Sequence, residues 1–177
     1  MKIKKVVNKI LKPYQKILNE IFGDYTTVRV SMGKTFCCYC RDIEDLEIEI
    51  PLIEEPLGTQ AFLNKMNNKL VEYGIKEKYS NEILSFLHEI GHIKTYNKLN
   101  DFTYCKIAPL ITKLQHTFFK NNLIMTNLCF KWYFNLALER KADHWAMVYI
   151  KNNPKQVRKW EKMLKDNYKK VFSKILV

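Results

Sequence analysis

The stretch Ser85-Phe86-Leu87-His88-Glu89-Ile90-Gly91-His92-Ile93 carries two of the chain's four histidines, four residues apart, with a glutamate after the first. Its apolar residues recur at helical intervals, which predicts a helix over about 80–98 with Ser80 as its N-cap. With His88 at zero on the helical wheel, His92 falls at about 40° and Glu89 at about 100°. Ile83, Phe86, Leu87, Ile90 and Ile93 fill the far side, between about 140° and 260°. A histidine satisfied within the core would sit in that arc. These two sit opposite it, flanked by Asn81, Ser85, Gly91 and Thr95. They project together from a polar, small-residue face, where two imidazoles can converge on one ion. Glu89 lies beside them rather than between them, where a general base would reach a water on that ion.

Tetrahedral zinc needs a third protein ligand. Leu138-Glu139-Arg140-Lys141-Ala142-Asp143-His144-Trp145-Ala146 offers one. With Glu139 at zero, Asp143 falls at about 40°, Ala146 at about −20° and Ile150 at about 20°. Leu138, Ala142, Trp145 and Tyr149 line one side, and Leu136 and Met147 the other. Two carboxylates therefore stand in an apolar stripe, where ionised acids are costly unless paired or bound to a cation. Arg140, Lys141 and His144 point to the opposite face. The carboxylates must look outward, either to a lysine elsewhere or to the histidine face. Ala142, Ala146 and Gly91 are small enough for the two helices to approach closely.

His88-Glu89-Ile90-Gly91-His92 followed by Glu139-x-x-Ala142-Asp143-x-x-Ala146 resembles the gluzincin zinc metallopeptidases, and among them the minigluzincins and the ImmA/IrrE group. The likeness spans about residues 25–150, and its specific part is the two motifs. It implies that His88, His92 and Glu139 bind Zn2+ and that Glu89 is the catalytic base. Asp143 would hold a ligand imidazole by its other nitrogen. The implied activity is hydrolysis of a protein or peptide substrate through a metal-activated water. Tyr96, His116 and Tyr149 are open alternatives for a donor to the oxyanion. An extended substrate would add to a sheet edge, with Leu46–Ile50 as the expected edge and Glu47 and Glu49 favouring basic substrates. The 46 residues between His92 and Glu139 are long for the smallest members, which predicts an inserted helix near the cleft over about 100–125. No helix-turn-helix segment and no extended second domain accompany the motifs. Competing classes are a regulator that cuts a repressor, a zinc-bearing scaffold without turnover, and a basic nucleic-acid-binding protein with an accidental motif. No activator or inhibitor protein is legible.

The rest of the chain frames these helices. At 177 residues and 47% hydrophobic it suits a single folded domain; the order of its elements makes it α+β and mostly helical, and the resemblance implies a zincin-like form. The expected order is an N-terminal helix over 1–23, a small antiparallel sheet of about three strands within 25–50, a helical part with the zinc site over 58–151, and a C-terminal helix over 154–177. Strands are expected at Thr26–Ser31, Thr35–Tyr39 and Leu46–Ile50, the last with strict apolar–acidic alternation. Helices are expected at about 59–73, 80–98, 104–125, 129–151 and 154–174. Pro13 should kink or split the first helix. A net charge of +12 spread over lysines, with no arginine-rich block, is read as a solvated surface and not as specific nucleic-acid binding. No run matches a membrane span, and Lys9, Lys12 and Lys16 interrupt any secretion signal, so a cytoplasmic location is expected. Cys37, Cys38 and Cys40 lack the paired spacing of a structural zinc site, and with Cys105 and Cys129 they read as reduced packing residues.

Overall fold

The first helix, α1 (Lys2–Phe22), runs unbroken through Pro13. Proline removes one N–H and leaves the carbonyl four residues back without its helical partner. That carbonyl, on Lys9, accepts a hydrogen bond from Asn167 Nδ2 at 3.1 Å. The helix is not split there, and a neighbouring helix supplies the missing donor. That neighbour is the last helix, α6 (Pro154–Phe172), which begins with proline, a residue well suited to a first helical turn. Glu20 near the other end of α1 accepts from Trp160 Nε1 at 2.7 Å and also from Gln156. Residue 9 thus meets 167 while residue 20 meets 156 and 160, so the two helices run antiparallel.

The computed structural model describes residues 2–23, 28–33, 37–42, 45–51, 56–95 and 122–173, with isolated positions between 107 and 117. The helix expected over 104–125, Tyr96, His116 and Cys105 fall wholly or mainly outside these residues. Among the described residues, no helix is long and apolar enough to cross a membrane.

Three strands follow α1: β1 (Arg29–Gly33), β2 (Cys37–Asp42) and β3 (Asp45–Pro51). Their spatial order is β1-β3-β2. The expected antiparallel sheet is corrected here: β1 pairs with β3 in parallel, and only β2 pairs with it antiparallel. The apolar–acidic alternation of β3 holds, since Ile48 and Ile50 are buried while Glu47 and Glu49 are partly exposed. Its expected role as the sheet edge does not hold, because β3 is the central strand. Its backbone groups already pair on both sides. Of the two outer strands, β1 lies against α1 and β2 against α3.

The helical part comprises α2 (Pro56–Glu72), α3 (Asn81–Lys94), α4 (Leu123–Phe134) and α5 (Ala137–Asn152). Ser80 occupies the N-cap position of α3, but its hydroxyl makes no capping bond. Its backbone N–H instead donates to Glu161, and Glu82 in the first turn accepts from the Tyr14 hydroxyl, tying α3 to α6 and α1. At the other end Thr95 Oγ1 donates to Gly91 O at 2.8 Å and closes the helix. The single helix expected over 129–151 is two. Asn135 turns its amide back onto Lys131 O at 2.8 Å, and Leu136 then adopts φ −58°, ψ 142° before α5 starts. Side-chain amides that satisfy nearby carbonyls favour such stops. One apolar core joins Tyr14, Ile17, Leu18, Ile48, Ile50, Met66, Phe86, Leu87, Met147, Ile150 and Trp160.

Candidate metal centre

Helices α3 and α5 meet over glycine and alanine. A Cβ built on Gly91 would stand 2.5 Å from the Ala142 carbonyl oxygen and 2.9 Å from Ala142 Cα. Only glycine permits that backbone approach. The short separation brings the histidine face of α3 directly onto the carboxylate stripe of α5. Every residue from Ile83 to Gly91 is buried, His88 and Glu89 included, and so are Glu139 and Asp143.

The side chains then converge. His88 Nε2 and His92 Nε2 are 3.1 Å apart, with the rings edge to face. Glu139 places Oε2 3.1 Å from His88 Nε2 and Oε1 3.5 Å from His92 Nε2. His88, His92 and Glu139 each offer a donor atom within 4.8 Å of the others, a group that could hold a metal ion. Two imidazoles and a carboxylate suit several divalent ions, so the donor set alone is not specific to zinc. On the opposite side of the His88 ring, Nδ1 stands 2.9 Å from Asp143 Oδ1. Glu139 lies in the first turn of α5, where a carboxylate is favoured by the helix dipole. The break at Asn135–Leu136 is what puts it there.

Electrostatics separates the three buried carboxylates. Burial pushes Glu139 up, but hydrogen bonding to His88 and His92 outweighs it and holds the group well below its usual range. Asp143 is likewise lowered, burial being outweighed by His88 and Lys65. Glu89 goes the other way: burial dominates the pull of His88 and His92 and raises it. Burial would lower His88, yet Asp143 and Glu139 overcome it and push the imidazole up to about 9. In the metal-free form His88 is therefore an imidazolium held between two carboxylates.

Arg140, Lys141 and His144 are exposed on the far face of α5, as the wheel predicts. His144 Nδ1 lies 2.5 Å from the Tyr73 hydroxyl. Tyr149 stacks between Trp145 and Trp160, at centroid distances of 5.0 and 5.8 Å, in the layer between α5 and α6. The sequence reading missed two residues of α2. Phe62 packs edge-on to His88 at 5.2 Å, and Lys65 Nζ stands 2.9 Å from Asp143 Oδ1 and 3.9 Å from Glu139 Oε2. Their spacing of three residues puts them on one helix face, but nothing in α2 itself points that face at the motifs. Comparison with protein-family models, curated proteins and solved structures returns no match for the chain.

Proposed function

We propose that the protein is a zinc-dependent peptidase of gluzincin type, with His88, His92 and Glu139 as ligands, Glu89 as general base and Asp143 orienting His88. The observation that carries the reading is the convergence of two imidazoles and a carboxylate, each with a donor atom within 4.8 Å of the others. A tetrahedron with ligand bonds of about 2.0–2.1 Å has edges of about 3.3 Å. His88 Nε2 lies 3.1 Å from His92 Nε2 and 3.1 Å from Glu139 Oε2, two separations near that length, while the other oxygen, Oε1, makes the 3.5 Å contact to His92 Nε2. The Asp143 contact to His88 Nδ1 supports the same reading, because a carboxylate there fixes the ring and leaves Nε2 as the ligand atom.

When bound, zinc supplies Lewis-acid polarisation of the scissile carbonyl and of the attacking water. Glu89 accepts the proton from that water. Burial raises its pKa, which makes the carboxylate a stronger acceptor for that proton. Burial of the surrounding side chains keeps bulk water away from this exchange. The outer strand β2, packed against α3, replaces β3 as the edge where an extended protein or peptide substrate would add.

Substituting Glu89→Gln tests the reading. Zinc content and melting temperature should stay near wild type while peptide hydrolysis falls by at least about 10²-fold. Identical cleavage by both proteins refutes Glu89 as base. A zinc-bearing scaffold would hold the metal and cut nothing in either form, whereas a repressor-cutting regulator would lose one selective cleavage. One observation favours a second reading, a metal-free ion network: Lys65 already places a cation 2.9 Å from Asp143. That network requires no metal, so zinc binding separates the two.

A further inference from the structure

Lys65 enters the donor cluster from α2, a helix that neither motif includes. Its side chain is only 11% exposed, with Nζ against Asp143 and near Glu139. The same ammonium lies over the Phe134 ring at 4.4 Å and the Phe62 ring at 5.1 Å. A buried ammonium is costly unless carboxylates or aromatic faces replace its water. Both are present here, on three different helices, so the position is built to receive a cation and is filled by a tethered one. The carboxylates it neutralises are the two that face the imidazole pair.

We infer that Lys65 is a built-in counter-ion that holds the centre together when no metal is bound, and for that reason weakens its metal affinity. The inference rests on the metal-binding reading of the site. A divalent ion on Glu139 and the Lys65 ammonium beside the same carboxylate repel each other. Without metal, the same ammonium offsets carboxylates that would otherwise be buried against too little positive charge. A residue that merely props Asp143 predicts the opposite sign. Its loss would loosen His88 and weaken the metal, as loss of partners behind a ligand does.

The test titrates Zn2+ alone into wild type, Lys65→Met and Lys65→Gln, in competition with a chromophoric chelator, and melts the metal-free forms alongside. Methionine keeps the volume without charge, and glutamine also keeps a donor for Asp143. Both variants should bind zinc at least about tenfold more tightly than wild type and melt lower when metal-free. A variant that is unfolded without metal and folds on zinc addition supports the inference as well. Zinc affinity equal to or below wild type in both variants overturns it. So does wild-type affinity in Lys65→Gln with weaker binding in Lys65→Met, which is the signature of a prop. Wild-type protein that takes up no zinc overturns the metal-binding reading itself and is told apart by that arm alone.

Discussion

Two helix pairs build much of this molecule, and they bury different chemistry. In α1 and α6 the buried residues are Ile10, Pro13, Tyr14, Ile17, Leu18, Val157, Trp160, Leu164 and Val171. Polar groups there work at the margin, as Asn167 does for the carbonyl freed by Pro13. Between α3 and α5 lie Ser85, His88, Glu89, Glu139 and Asp143, which are all the buried polar and charged side chains among the described residues. Burying ions is expensive, and an apolar pair of similar volume is often at least as stable. The chain therefore follows the ordinary packing rule in one pair and departs from it in the other. Such a departure, concentrated on one pair of helices, is what the proposed metal site would require.

The two pairs should respond differently to perturbation. The largest effect is expected from Leu18→Ala in α1, a fully buried position. It should cost about 2–5 kcal/mol, read from denaturant unfolding, while zinc affinity of the folded protein stays at wild type. A parallel loss of zinc affinity would mean that the two pairs are one unit.

Next in size is the response to pH. His88 is raised from 6.5 to about 9 in the folded, metal-free protein. Its contribution is thus fully present below about pH 6.5 and is lost as pH rises through about 9, on the order of 3 kcal/mol. Glu139 and Asp143 are lowered, so their contribution is present above their ordinary values and lost on acidification. Metal binding should run opposite to the His88 term, strengthening from pH 6.5 towards 9 as the proton leaves. Melting curves of metal-free and zinc-loaded protein across that range should diverge. Parallel curves would remove the charged His88 from the account.

The smallest effect on stability is expected from Gly91→Ala, about 1–3 kcal/mol, because the added methyl meets the Ala142 backbone, which must move. Its value lies in what accompanies that loss. Zinc affinity should fall with it, since the helices separate at the level of the donors. An alanine variant with unchanged zinc affinity would show that the close approach is packing alone.

The polar pair was the more legible of the two in the sequence. Spacings of four residues in His88–His92 and Glu139–Asp143, and the small residues Gly91 and Ala142, are local facts about helices, and helical geometry turns them directly into faces. What escaped was set by partners far along the chain. Pro13 does not split α1, where Asn167 answers the freed carbonyl, and β1 joins β3 rather than β2, which local alternation cannot reveal. The stop at Asn135 lies inside a run apolar enough to read as one helix. Lys65 was invisible for the same reason, since its meaning comes from α5 and not from α2.

The central claim is that the polar pair exists to hold zinc. Elemental analysis of the purified protein, with zinc supplied and loosely held metal removed by gel filtration, tests it most directly. The account predicts about one zinc per chain in wild type, and little in His88→Ala or Glu139→Ala. Zinc-free wild-type protein whose melting temperature does not move when zinc is added would contradict it and leave the cluster as a lysine-paired ion network.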